Sequence, residues 1–191
     1  PEWKEKRFAK LPPQQRQWHP AEMVPVSIGQ GYNTYTPMQL AHALASLVNN
    51  GAVSRPHLVK EMLDYNKQQI TLIEPKPDHQ MPFKPEHFEY IKQAMRKVVG
   101  PGGTARAIGG APYTLGGKTG TAQVVQIQQG QSYNAAALRE QHRDHAWFIG
   151  FAPVEKPKIA VALILENGGW GATAAPLVRQ LMDYHLLTLQ G

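Results

Sequence analysis

Leu40, Ala43, Leu44, Leu47 and Val48 recur at the three- and four-residue spacing that gathers apolar side chains on one side of an α-helix. Thr36-Pro37-Met38-Gln39 precedes them with an N-cap hydroxyl, a proline at the first helical position and a glutamine three residues after the cap, a capping-box arrangement. Gly51 supplies the left-handed residue that ends the helix. A second helix is predicted where Phe88, Ile91, Met95 and Val98 repeat, until Gly100-Pro101-Gly102-Gly103 stops them. Thr104 is placed to cap a brief helix through Ala107. Leu177, Val178, Leu181, Met182 and His185 predict a last helix after Gly168-Gly169-Trp170-Gly171, closing one face of a sheet.

The strands follow a different pattern. Short strands are expected at His57 to Leu63 and Gln69 to Ile73, around the polar turn Asp64-Tyr65-Asn66-Lys67. From Lys118 onward, Thr119, Thr121, Val124, Val125 and Ile127 give a density of β-branched residues that reads as strand. Ala146 to Phe151 and Ile159 to Leu165 are continuous apolar runs joined by Pro153-Val154-Glu155-Lys156-Pro157, the signature of a hairpin covered on both faces, with Trp147 and Phe148 in its core. Gln128-Gln129-Gly130-Gln131 reads as a polar loop, Ala135 to His142 as including a short helix, and Pro75 to Pro85 as a Pro-broken stretch. Met62, Met95 and Met182 fall on apolar faces and read as core. Pro12-Pro13, Pro20 and Pro25 make residues 1–35 an extended approach segment, mostly loop. The fold class is therefore α+β, an antiparallel β-sheet flanked by helices on both faces.

At 191 residues, 42% hydrophobic and 18% charged, the chain suits one globular domain and excludes the disordered and fibrous classes. Its longest aliphatic run, Ile159 to Leu165, is far below the roughly 18 apolar residues of a membrane helix. Without cysteine there is neither a disulfide nor a thiolate nucleophile or metal ligand. The net charge of +6 raises the question of nucleic acid. Beyond Lys4, Lys6, Arg7 and Lys10 the cations are scattered among carboxylates with no aromatic ladder, so no nucleic-acid partner is expected. His142 and His145 have His-x-x-His spacing but no evident third ligand, so no metal and no cofactor is expected. Pro1-Glu2-Trp3-Lys4-Glu5-Lys6-Arg7 has neither an initiator Met nor a signal-peptide apolar core, which places any targeting segment upstream.

Gly116-Gly117-Lys118-Thr119-Gly120-Thr121 carries the chemistry. A phosphate loop fails on spacing: Pro112 stands where its first glycine belongs, and strand follows where that loop demands helix. At the start of an exposed edge strand, each residue has a job instead. Lys118 presents a cation to a substrate carboxylate, and the hydroxyls of Thr119 and Thr121 can hydrogen-bond to the same anion. Gly120 leaves room for a peptide to lie along the strand as an added β-partner, and backbone N–H groups there can stabilise an acyl-transfer oxyanion.

In this setting the chain resembles the class B penicillin-binding proteins, in particular their elongation-type transpeptidases. The resemblance runs through Glu2-Trp3-Lys4-Glu5-Lys6-Arg7-Phe8, Ser27-Ile28-Gly29-Gln30-Gly31-Tyr32, Thr36-Pro37-Met38-Gln39-Leu40, Gly103-Thr104-Ala105 and Lys118-Thr119-Gly120-Thr121-Ala122-Gln123-Val124. Arg143-Asp144-His145, Gly150-Phe151-Ala152-Pro153 and Leu165-Glu166-Asn167-Gly168-Gly169 continue it in order. It implies the five-stranded penicillin-binding fold, incomplete here, with residues 1–191 forming the C-terminal portion of one transpeptidase domain. It further implies that Lys118, Thr119 and Thr121 hold the terminal carboxylate of a D-Ala-D-Ala stem peptide or a β-lactam, that Gly120 completes the substrate-binding segment, and that Lys118 and Thr121 are catalytic, the Thr121 backbone N–H as an oxyanion donor. Peptidoglycan cross-linking at the periplasmic face of a bacterial inner membrane, through an N-terminal anchor absent from this sequence, is the implied setting.

Departures from the family pattern limit what this chain does alone. The family's nucleophile lies in Ser-x-x-Lys, but Ser27, Ser46, Ser54 and Ser132 are each followed at the third position by another residue. Ser132-Tyr133-Asn134 has the letters of the family's Ser-x-Asn but follows Lys118 instead of preceding it. The nucleophile and base are expected in an upstream half of the domain, the chain's first partner. A non-catalytic peptide- or β-lactam-binding module of the same fold and a D,D-carboxypeptidase stand as alternatives, with a polyanion-binding protein last. His19-Pro20-Ala21-Glu22 departs from the family's local turn, and the role of Trp170 stays open between packing and rim contact.

Overall fold

The computed structural model describes residues 2–124, 134 and 138–189, in two compact units, Pro1–Tyr35 and Thr36–Gly191. The first unit is not the extended segment expected. It contains α1 (Glu2–Arg7), α2 (Pro13–Arg16), a 3-10 turn (Pro20–Glu22) and α3 (Met23–Ser27). Pro13 and Pro20 open their helical turns, where the missing N–H would be unpaired anyway, so they start structure that their number suggested they would prevent.

A polar group organises this unit. The buried Lys4 ammonium donates to the Glu22 carboxylate (2.5 Å) and the Gln17 carbonyl (2.7 Å), and lies 5.6 Å from the centre of the Tyr32 ring. Tyr32 donates its hydroxyl to Glu22 (3.1 Å), while Trp3, Phe8 and Trp18 pack about its ring. The hydrogen bond from Lys4 holds Glu22 below the ordinary carboxylate range, and the same bond raises Lys4. The His19–Glu22 turn is capped, with the Glu22 carboxylate accepting from the His19 N–H at 3.2 Å.

The second unit begins with α4 (Pro37–Val48), capped as predicted: Thr36 Oγ1 accepts from the Gln39 N–H (3.2 Å), and the Gln39 side chain accepts from the Thr36 N–H (2.9 Å). Asn50 (φ 53°), not Gly51, is the first left-handed residue after the helix; Gly51 (φ 84°) follows it and donates its N–H to the Ser46 carbonyl (2.8 Å). There β1 (Ala52–Ser54) pairs antiparallel with β4 (Pro77–Gln80), a strand inside the stretch read as Pro-broken. Pro77 opens that strand, a position that proline tolerates.

β2 (Glu61–Asp64) and β3 (Gln69–Leu72) form the expected hairpin with Leu63 opposite Ile70, although the first strand starts at Glu61, not His57. Every residue of both strands is exposed, Met62 among them, so Met62 is not core. In α5 (Pro85–Lys97), Phe88, Lys92 and Met95 make the buried stripe, while Ile91 lies at its exposed border. Thr104 caps nothing: the following 3-10 turn, Arg106–Ile108, has Ala105 at its N-cap.

β5 (Gly116–Ala122), β6 (His145–Ala152) and β7 (Ile159–Leu165) make one antiparallel sheet in the order β5-β6-β7. The strand expected from Lys118 thus begins two residues earlier, and Val125, Ile127, Gln128–Gln131 and Ala135 of the expected strand, loop and helix lie outside the described residues. Glu140–His142 is a 3-10 turn. Phe148, fully buried, packs on one side with Val178 and Met182 of α6 (Ala175–Asp183); Phe151 packs on the other with Leu44, Val48 and Met95 of α4 and α5. The sheet is therefore helix-covered on both faces, as predicted.

Leu177 and Leu181 are exposed, contrary to their reading as part of α6's apolar stripe. Val178 and Met182, one position further round the helix, carry the packing instead. Polar bonds fix α6: Asp183 accepts from Tyr113 (2.6 Å) and from Arg179 (2.8 Å), which also donates to the Ile108 carbonyl (2.8 Å). Among the described residues no helix is long and apolar enough to cross a membrane.

Candidate functional site

The Lys-Thr-Gly segment lies in β5 at one border of the sheet, with β6 its one strand neighbour among the described residues. Register explains its glycines. A Cβ on Gly117 would stand 2.3 Å from the Phe148 ring, so the buried ring and the glycine require one another. Side chains alternate along the strand, which puts Lys118 on the face shared with Phe151 and puts Thr119 and Thr121 on the face shared with Phe148. The three groups assigned to one anion thus leave the backbone on opposite faces.

Lys118 is exposed, and its ammonium donates to the Thr119 carbonyl (2.6 Å). The Thr119 hydroxyl lies 3.2 Å from that of Thr104, which gives the Gly103-Thr104-Ala105 motif a place at the site in place of the capping role. The Thr121 hydroxyl accepts from the Gly171 N–H (3.0 Å). Gly171 opens a 3-10 turn, Gly171–Ala174, whose backbone rests against Gly120. Trp170, one residue earlier, is 68% exposed and so is not packed in the core.

Neither Thr104, Gly171 nor the chain segments behind them was assigned to the site from sequence. Their signal was present as Gly103-Thr104-Ala105, Arg143-Asp144-His145 and Leu165-Glu166-Asn167-Gly168-Gly169, motifs in the right order but without a role. His145 has a structural partner, its Nδ1 accepting from the Asn167 N–H at 2.9 Å. Among the described residues no group of three or more His, Cys, Asp or Glu side chains could hold a metal. A cavity of about 530 Å³ is lined by Lys92, Lys156 and Ile159 among others, toward β7 and away from the Lys-Thr-Gly border.

Residues 10–183 match the model of the penicillin binding protein transpeptidase domain. The chain belongs to this family. Within the penicillin-binding transpeptidases, it is 42% identical to the peptidoglycan D,D-transpeptidase MrdA of Haemophilus influenzae over 97% of its own length and 28% of the relative's. The crystal structure of Pseudomonas aeruginosa PBP2 in complex with WCK 5153 superposes with a TM-score of 0.73 at 39% identity, over 97% of this chain and 37% of that one. The penicillin G acyl-enzyme complex of penicillin-binding protein A from M. tuberculosis gives a TM-score of 0.64 at 28% identity, over 85% of this chain and 34% of that one. The chain spans about three tenths of the length of the curated relatives it matches.

Proposed function

We propose that this chain supplies the carboxylate-docking edge of a peptidoglycan D,D-transpeptidase, which cross-links stem peptides by serine acyl transfer and takes β-lactams as substrate mimics. The observation that carries the reading is the border position of β5, with an exposed Lys118 and the hydroxyls of Thr119 and Thr121 flanking one strand edge. An ammonium and hydroxyl donors there suit an acceptor-only carboxylate, and an open strand edge suits an extended peptide. The Thr121 backbone N–H is the proposed oxyanion donor. Support comes from family membership and from the penicillin G acyl-enzyme formed by the M. tuberculosis relative.

Ser-x-x-Lys is not in this sequence, so the acylated serine and its lysine base belong to another part of the longer polypeptide. The proposed setting is the periplasmic face of the inner membrane, with a role in cell-wall growth and cell shape. A water or an amine accepting the acyl group separates carboxypeptidase from transpeptidase, and the homology to MrdA favours the amine.

The test is acylation of the full-length protein by a fluorescent penicillin. Lys118→Ala removes a charge-assisted contact and is expected to lower the second-order acylation rate by about tenfold or more. Wild-type acylation by that variant would overturn the docking role. Reversible binding of penicillin without any covalent adduct in the unaltered full-length protein would favour a non-catalytic binding module.

A further inference from the structure

Beyond β7 the backbone passes twice through left-handed conformations, at Asn167 (φ 55°) and Gly169 (φ 76°). Asparagine tolerates that region better than most L-residues, but here its side chain is also used. The Asn167 N–H donates to His145 Nδ1 (2.9 Å), and its side-chain amide donates to the Arg143 carbonyl (3.0 Å). Two residues on, the Gly169 N–H donates to the Asp144 carbonyl (2.8 Å). The buried Asp144 carboxylate in turn accepts from the Val124 N–H (3.1 Å), just past the end of β5. One three-residue segment, Arg143-Asp144-His145, thus holds both the end of the docking strand and the turn that follows β7.

That turn ends at Gly171, whose N–H reaches Thr121 Oγ1 (3.0 Å). A backbone N–H can only donate, so it occupies a lone pair of the hydroxyl and leaves the O–H proton free to donate elsewhere. A substrate carboxylate, being acceptor-only, needs that proton. The direction of the Thr121 O–H is therefore set by where Gly171 stands, and Gly171 stands four residues from the Asn167 bridge.

We propose that Asn167 is a positioning residue for the docking strand: by bridging Arg143 and His145 it fixes the turn that presents the Gly171 N–H to Thr121 and so aims the Thr121 hydroxyl at the bound carboxylate. The inference rests on the carboxylate-docking reading of β5. It assigns a specific task to Leu165-Glu166-Asn167-Gly168-Gly169 and Arg143-Asp144-His145. They align one donor on an adjacent strand without touching substrate.

The test is a double-mutant cycle in the full-length protein, read as the second-order rate of acylation by a fluorescent penicillin per molecule able to react, with the melting temperature measured alongside. Asn167→Gly keeps the left-handed backbone and the N–H to His145 but removes the side-chain bond to Arg143, and is expected to slow acylation about tenfold. In a Thr121→Val background the same substitution is expected to change the rate less than about twofold, because the hydroxyl it aims is gone. Asn167→Asp, similar in size and left-handed preference but lacking the amide donor, replaces the glycine variant if that one does not purify, with the same expectations. Wild-type acylation by the Asn167 variant, or an equal loss in both backgrounds, would overturn the proposal, whatever the melting temperature does. Lys118→Ala, run in parallel, separates the two failures. If it acylates normally, the docking reading falls; if it is impaired while the Asn167 variant is not, the positioning inference alone falls.

Discussion

A methyl group placed on Gly171 would stand 2.2 Å from the carbonyl oxygen of Gly120, so the turn after β7 rests its backbone directly on the Lys-Thr-Gly strand. That contact couples strand and turn. Gly171→Ala must push them apart, and overpacking of this kind destabilises by about 1–3 kcal/mol. The same displacement lengthens the Gly171 to Thr121 bond, so thermal unfolding and penicillin acylation should both show the substitution. Unchanged behaviour in both would show that the turn can shift freely.

Phe148 joins the site to the core. Fully buried, it fills the space that Gly117 leaves and packs on the α6 side of the sheet. Phe148→Ala is expected to destabilise by about 3–5 kcal/mol in denaturant unfolding, the range for removing a buried aromatic ring. A loss below about 1 kcal/mol would mean that the neighbours collapse into the space.

The Tyr113–Asp183–Arg179 group predicts a dependence on pH. Burial, reinforced by the hydrogen bond to Asp183, pushes the Tyr113 hydroxyl up to about 12. Burial would raise Asp183 as well, but the bonds from Tyr113 and Arg179 outweigh it and hold the carboxylate below its ordinary value. A raised tyrosine contributes stability that is complete below its unfolded value near 10 and is lost as pH climbs toward about 12. Tyr113→Phe should cost about 1 kcal/mol at neutral pH and flatten the alkaline loss, as measured by urea unfolding at pH values on either side of that window.

In the first unit, Lys4→Met removes the donor that depresses Glu22. Carbon-detected NMR titration should then show the Glu22 carboxyl titrating at higher pH than in the unaltered protein, where the hydrogen bond from Lys4 keeps it low. The sign follows from that depression. Glu22 contributes stability present above its unfolded value and lost as pH falls through the lower folded one, so the variant should lose less of its remaining stability on acidification.

Thr36→Ala isolates the capping box. Removing the hydroxyl that accepts from the Gln39 N–H is expected to destabilise by about 1 kcal/mol, read from the shift in the denaturant midpoint at unchanged slope.

Local chemistry was legible along the chain. Thr36 to Gly51, Phe88 to Met95, the β6–β7 hairpin and the Lys-Thr-Gly strand were recognisable because capping, periodicity and β-branching act over a few residues. Where single residues misled, a competing contact was the reason. Met62 has apolar neighbours in sequence but lies in a two-stranded ribbon with every residue exposed; Leu177 and Leu181 share α6's period with Val178 and Met182 but miss the sheet by the rotation of one residue.

What sequence alone determined was the set of parts: an α+β chain, its main helices and hairpin, and a cation beside two hydroxyls on a strand. What tertiary structure decided was their mutual aim. That Thr104 meets Thr119, that Gly171 donates to Thr121 across 50 residues, and that Asn167 reaches back to Arg143 are consequences of strand order and register. Hydrogen bonds between residues so far apart leave no periodic trace in a sequence, because their geometry exists only once the sheet has brought the two segments together.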